Sequence, residues 1–324
     1  MNGPTLSVVI CTYNRCENLD ACVGTLERQT GTESFEWELV VVDNNSTDDT
    51  AERVKAIIAR SPLTVRYAFE PEQGLSHARN RGIVETDSDI VAFIDDDIAP
   101  EPQWLASLFA AFRDRGADAV GGPIHVEGLD AMPNWITEEM YGFLGVRDFG
   151  GGGFWMDGRK RFPFGGNMAF SRDLLNEVGF FDTRRGRKGE GAKRDELYKG
   201  EESDYFERAA ANRARIWYEP SAAVWHKVLP HQVSKGFFRV LHFNAGLLNA
   251  RLDPKDYPRT LLGAPWFVYR QTLAAGWRYL KQLFSKGPDV AFRQQMTVGY
   301  FLGMLLGYVR RRRGQAAGLA DRSG

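Results

Sequence analysis

IVAFIDDD, residues Ile90 to Asp97, is a run of five apolar residues that ends abruptly in three adjacent aspartates. An apolar run that does not alternate with polar residues suits a strand buried on both faces, as in a parallel sheet covered by helices. Toward the N-terminus, Leu6 to Cys11 (LSVVIC) and Trp37 to Val42 (WELVVV) are similar β-branched runs, each ending in polar residues. The stretch from Glu17 to Gln29 between them has a helical pattern, so the three pieces read as a βαβ unit. A helix is expected over Asp49 to Arg60, a strand over Thr64 to Phe69 and a further helix over Leu75 to Val84. The first half is therefore predicted to be doubly wound α/β.

Toward the C-terminus the pattern is less regular. Ala119 to Pro123 and Met168 to Ser171 read as strands and Asp173 to Val178 as a short helix, which predicts a mixed sheet. Two Gly-rich loops, Arg147 to Gly158 and Thr183 to Gly200, are long enough to act as lids or to be disordered. The second carries Arg184, Arg185, Arg187, Lys188, Lys193, Arg194 and Lys199, a basic set suited to closing over phosphate. From Pro230 onward the chain is rich in Phe, Leu, Trp and Arg.

Bulk composition excludes some classes of function. The 324 residues are 43% hydrophobic and 26% charged with a net charge of -1, so no whole-protein positive field calls for a nucleic-acid partner. The three cysteines, Cys11, Cys16 and Cys22, are odd in number and lack metal-like spacing, which suits a reducing compartment. The polar start lacks the pattern of a secretory signal, and a cytoplasmic protein is expected. Leu261 to Tyr279 and Val298 to Val309 combine aromatics with Arg270, Arg278, Lys281 and Arg310 to Arg313. Apolar stretches of about a dozen residues are too short to cross a bilayer of ~30 Å. Amphipathic helices lying on the cytoplasmic face of a membrane fit better, with a helical pair docked on protein or at a dimer interface as the alternative.

Ligands of an open α/β sheet bind beyond the carboxyl ends of its strands. Those ends deliver Thr12, Tyr13, Asn14 and Arg15, then Asp43, Asn44 and Asn45, then Asp95, Asp96 and Asp97. Asp43 alone reads equally well as a turn former. Three aspartates in a low-dielectric cleft repel one another, and a divalent cation, Mg²⁺ or Mn²⁺, is the economical neutraliser, a solvated acidic turn being the alternative. Neither the GxGxxG dinucleotide fingerprint nor a GxxxxGK[ST] phosphate loop is present.

With SVVICTYNR, VVVDNNSTD, GLSHARNRG, FIDDD, GGNMAF, GEESDYFERA and VWH in this order over residues 5 to 230, the sequence resembles the family 2 glycosyltransferases. The resemblance implies the glycosyltransferase-A fold, here a doubly wound mixed α/β sheet with a C-terminal helical, amphipathic region. It implies a catalytic domain over 1–230, with a nucleotide-binding half at 1–115 and an acceptor half at 116–230, and a C-terminal region over 231–324. By the same resemblance, Thr12, Asn14, Arg15, Asp43, Asn45, Arg79, Asp95 and Asp96 bind the donor, and Asn80 lines its pocket. Asp97, of a DXD-type motif, and His226 hold the metal.

Inverting transfer of a sugar needs a base for the acceptor hydroxyl and charge neutralisation on the departing diphosphate. The family takes its base from an Asp in a Gly-Glu-Asp segment. The segment here reads Gly200, Glu201, Glu202, which puts Glu202 in that place with Glu201 as rival, or else simply loads a helix N-terminus with acids. Gly166 and Asn167 are expected beside the sugar, and Trp135, Phe154 and Trp155 are candidates for stacking on it. The expected activity is transfer from a nucleotide-diphosphate sugar, UDP favoured, to a glycan or lipid-linked acceptor in cell-surface polysaccharide or glycoconjugate synthesis. A sugar nucleotidyltransferase and a non-catalytic nucleotide-sugar-binding subunit are the alternatives.

Overall fold

The computed structural model describes residues 5–128, 132–189 and 196–320, with side chains up to residue 311. The chain forms two compact units, one of residues 1–130, 139–190 and 200–228, the other of residues 131–138, 191–199 and 229–324.

The first unit is built on an eight-stranded sheet. Its parallel half contains β1 (Leu6–Thr12), β2 (Trp37–Asp43), β3 (Val65–Phe69) and β4 (Ile90–Asp95). Helices α1 (Cys16–Leu26), α2 (Thr50–Arg60) and α3 (Leu75–Val84) connect them. Every residue of β1 is buried, which is why that run never alternates with polar residues. The other half holds β6 (Ala119–Gly121), β8 (Phe154–Met156), β9 (Met168–Ser171) and β10 (Ile216–Tyr218), with α5 (Arg172–Val178) and α6 (Glu201–Ala211). The order is β3-β2-β1-β4-β9-β6-β10-β8, and the sheet is mixed because β9 runs antiparallel to both β4 and β6.

A small second sheet places β11 (Val224–His226) between β5 (Ile98–Pro100) and β7 (Ile124–Val126). Neither β5 nor helix α4 (Trp104–Arg115) was anticipated from the sequence. The available signal for α4 was its end: Gly116 in a left-handed conformation (φ 60°) follows Arg113 and Arg115.

Register decides where the site lies. Thr12 pairs with Asp43 and Cys11 with Asp95, so the polar residues that follow three neighbouring strands emerge on one edge.

The second unit contains α7 (Lys235–Leu252), a short hairpin of β12 (Thr260–Leu261) and β13 (Ala264–Pro265), then α8 (Trp266–Lys286) and α9 (Pro288–Ala320). Glycines allow α7 and α9 to touch backbone to backbone. A Cβ on Gly246 would run into the Tyr300 carbonyl, and one on Gly303 into the Phe243 carbonyl. Among the described residues, no helix is long and apolar enough to cross a membrane.

Candidate active site

The three aspartates after β4 point in different directions. Asp96 is buried, accepts a hydrogen bond from the Thr12 hydroxyl at 2.7 Å and pairs with Arg15 at 3.2 Å. Asp97 pairs with the same Arg15 nitrogen at 2.8 Å and faces His226 at 3.5 Å. Asp95, the most open of them, faces Arg79 at 3.8 Å. Burial and the Asp97 charge push the Asp96 carboxyl up to about 7. Burial acts in the same direction on Asp97, but His226 and Arg15 outweigh it and hold that carboxyl down at about 2. Mutual repulsion by itself therefore does not call for a cation here, because the Arg15 and Arg79 guanidiniums already supply positive charge.

A narrower observation favours a metal. The Nδ1 of His226 lies 3.0 Å from the Leu144 carbonyl, a contact that requires the proton on Nδ1 and leaves Nε2 facing Asp97. The Asp97 Oδ1 that it faces is buried and has no hydrogen-bond partner. A ring nitrogen and a carboxylate oxygen fixed in this way suit a divalent cation. Among the described residues, no third His, Cys, Asp or Glu offers an atom close to both, so other oxygens, such as those of a diphosphate or water, would complete the coordination.

Arg79 ties this edge to helix α6. The helix α3 that carries it packs on β1 and β2, so its guanidinium is only 1% exposed. It meets Glu201 at 3.2 Å, and its Nη2 touches both Glu202 at 3.6 Å and Asp95 at 3.8 Å. Arg79 is therefore not a surface ion pair. Gly165 makes this junction possible, since a Cβ there would collide with both Arg79 and the Glu202 carboxylate. Gly166 follows, where an added Cβ would meet Asp95 Oδ2 at 3.5 Å.

The two glutamates differ. Glu201 is buried, and burial followed by the charge of Glu202 raises its carboxyl to about 7. Glu202 keeps 21% of its side chain exposed. Asp204 pairs with Arg208, four residues along the same helix, at 3.1 Å and with Arg185 at 3.3 Å.

On the β1–β2 side, both oxygens of the buried Asp43 are engaged. Oδ1 accepts the Ser46 N–H at 2.9 Å and Oδ2 accepts the Tyr67 hydroxyl at 2.9 Å. Asn14 and Asn45 take left-handed conformations (φ 50° and 64°), and the Asn14 amide oxygen accepts the Thr47 N–H at 2.7 Å, joining the two loops. The Asn45 amide donates to the Pro71 carbonyl at 3.2 Å.

Several expectations are corrected. Asn167 has no exposed surface: its oxygen accepts the Trp104 indole N–H at 2.9 Å, and its amide donates to the carbonyls of Pro123 and Ala222 at 3.1 and 2.8 Å. It secures the turn and has nothing left for a sugar. Asn80 is likewise spent on both backbone groups of Phe181. Trp135 belongs to the second unit, where Phe238 and Phe292 pack edge-on against it and the Lys235 ammonium lies 5.7 Å from its ring centre. Phe154 and Trp155 lie on the edge strand β8 against Tyr218 and Trp217. Of the basic loop, Lys193 and Arg194 fall outside the described residues, while Arg184 and Arg185 pair with Asp182.

Sequence reasoning missed Tyr67 and the Leu144 carbonyl. The first had only an alternating VRYAF pattern to mark it, and a backbone carbonyl leaves no sequence signal.

A family model for "Glycosyl transferase family 2" matches residues 7–179. The chain belongs to this family. The glycosyltransferase is 31% identical over 231 residues to the glucosyl-dolichyl phosphate glucuronosyltransferase of Haloferax volcanii, a match covering 70% of each chain. It is 25% identical over 249 residues to the succinoglycan biosynthesis protein ExoM of Rhizobium meliloti, covering 76% of this chain and 74% of that one. Its fold is that of the glycosyltransferase-A enzymes. The mannosyltransferase PcManGT from Pyrobaculum calidifontis, solved with GDP-Man and Mn²⁺, superposes with a TM-score of 0.61 at 18% identity, covering 95% of this chain and 88% of that one. S. aureus TarS in complex with UDP follows with a TM-score of 0.50 at 17% identity, covering 93% and 90%. The protein is thus a transferase of sugars from a nucleotide- or lipid-phosphate donor.

Proposed function

We propose that the protein is a metal-dependent, inverting glycosyltransferase that moves a sugar from a nucleotide diphosphate to a hydroxyl of a glycan or lipid-linked acceptor. The observation that carries this reading is the shared Arg79 nitrogen, which holds the Asp95 carboxylate of the donor edge next to the Glu202 carboxylate of helix α6. Residues 1–230 are the catalytic domain in this reading, and 231–324 bring it to the cytoplasmic face of a membrane. UDP-sugars are the first donors to test. The neighbours solved with GDP-Man and with UDP support a nucleotide-diphosphate donor while leaving the base open. The name of the Haloferax relative, a transferase acting on a glucosyl-dolichyl phosphate, supports a lipid-carried acceptor, and that of ExoM supports polysaccharide synthesis.

Thr12 and Asp43 border the nucleoside, and Arg15 braces Asp96 and Asp97. Asp97 and His226 would hold Mn²⁺ or Mg²⁺, which would supply charge neutralisation on the departing diphosphate. Glu202, the less buried glutamate, takes the proton of the acceptor hydroxyl as its oxygen attacks the anomeric carbon opposite the diphosphate. Glu201 and Arg79 fix the position of Glu202.

The test is calorimetric titration of UDP-sugars and GDP-sugars with Mn²⁺ and then with chelator, on the wild type, Asp97→Ala and Glu202→Gln. One donor should bind only with metal, and Asp97→Ala should lose that dependence. Glu202→Gln should keep donor affinity while turnover falls by roughly 10² to 10⁴. Metal-dependent binding retained by Asp97→Ala would refute the metal assignment, and a turnover loss in Glu201→Gln but not in Glu202→Gln would move the base by one residue.

A further inference from the structure

Helix α8 has its large apolar side chains on the outside. At ~100° per residue, Trp266, Leu273, Trp277, Leu280 and Phe284 form one stripe, and Val268 and Ala275 lie on the opposite side. The structure leaves Leu273, Trp277 and Phe284 exposed by 75%, 72% and 86%, while Val268 and Ala275 are wholly buried. A solvated helix normally does the reverse. Each of these exposed side chains forgoes the stabilisation that burial would give it, and a contiguous row of them marks a contact surface.

Charge identifies the occupant. From Tyr257 to Pro288 the chain carries Arg259, Arg270, Arg278, Lys281 and Lys286 and not one Asp or Glu. Arg270 and Lys281 flank the stripe at ~40° and ~60° on the same wheel, and Arg278 lies beyond them. A second copy of the helix would bring the same one-sided positive charge against itself, which disfavours self-association through this face. A layer of anionic headgroups over hydrocarbon meets both demands, and tryptophan suits that boundary because its ring is apolar and its N–H polar.

We propose that the outward stripe of α8 seats the protein on an anionic lipid surface, the helix lying in the headgroup plane with Trp277 and Phe284 in the acyl boundary and Arg270 and Lys281 on lipid phosphates. This rests on the reading that the acceptor is lipid-carried, and it names the surface through which that acceptor is reached. Of the four cations of α8, Arg270 and Lys281 stand beside the stripe and suit contact with lipid phosphates.

The full chain is floated with vesicles of phosphatidylcholine alone and of phosphatidylcholine containing phosphatidylglycerol, and its tryptophan emission is followed. The wild type should float with the anionic vesicles, weakly with the neutral ones, and shift its emission to the blue. Trp277→Glu/Phe284→Glu should lose binding by at least about tenfold, and Arg270→Glu/Lys281→Glu should abolish the preference for anionic lipid. All of these positions are at the surface, so circular dichroism should be unchanged. Equal flotation of Trp277→Glu/Phe284→Glu and the wild type would overturn the proposal. So would a wild-type dimer that this variant dissociates with no vesicle binding by either. Metal-dependent donor binding separates the two levels: its absence in a protein that still floats sinks the transferase mechanism and leaves the lipid surface standing, whereas normal donor binding without flotation does the opposite.

Discussion

Asn167 stands at the strand edge, where its amide could in principle face a ligand. Every hydrogen-bonding group of Asn167 is met by Trp104, Pro123 and Ala222 inside the protein. Asn167→Ala would leave the buried Trp104 indole N–H and the Ala222 carbonyl unpaired, while the Pro123 carbonyl keeps the Val224 N–H, and should cost about 3 kcal/mol in chemical denaturation. A variant with wild-type stability and impaired donor binding would restore the ligand role. Glu201 allows a pH test. Its folded carboxyl stands at about 7 against an ordinary 4.5, so the stability it contributes is complete below about 4.5 and is lost as pH rises through about 7. Glu201→Gln cannot ionise. Its thermal midpoint relative to wild type should therefore rise across that window, and a difference independent of pH would show that burial does not hold Glu201 neutral.

At the scale of elements, the parallel strands were readable because a strand covered on both sides must be largely apolar, as β1, β2 and β4 are, with the buried Ser7 and Glu38 satisfying each other across β1 and β2. The short strands β5, β7 and β11 have three residues each, too few to show any period, and their pairing is a property of the assembled sheet. The C-terminal helices carry a second kind of information. Gly299, Gly303 and Gly307 recur at four-residue spacing along α9, one above another on a single face. All three face the backbone of α7: a Cβ on Gly303 or Gly307 would run into the Phe243 or Leu247 carbonyl, and one on Gly299 would reach ordinary contact with the Arg239 carbonyl. Gly303→Leu should destabilise this unit by about 3 kcal/mol or more and speed amide exchange in α7 and α9 together. Gly276→Ala on α8, where an added Cβ meets nothing within 4 Å, should be neutral or stabilising by up to about 1 kcal/mol. If both substitutions behave alike, close backbone contact is not what holds the helices.

For the whole molecule, the local sequence determined the α/β character, the acidic strand ends and the family, because each depends on a run of side chains read in order. It also placed Glu201 and Glu202 at the start of a helix and aromatics with arginines on the C-terminal ones. Contacts between distant segments were decided only by tertiary structure. Arg79 reaches Glu201 across 122 positions, His226 is oriented by the Leu144 carbonyl across 82, and Trp104 takes the oxygen of Asn167 across 63. The same holds for which side of α8 faces outward, since a periodic stripe of Trp, Leu and Phe looks alike in sequence whether it is packed or exposed. A side chain's identity sets which partners it could take; the assembled sheet and the packed helices set which of those partners are within a few ångströms, and therefore which role it keeps.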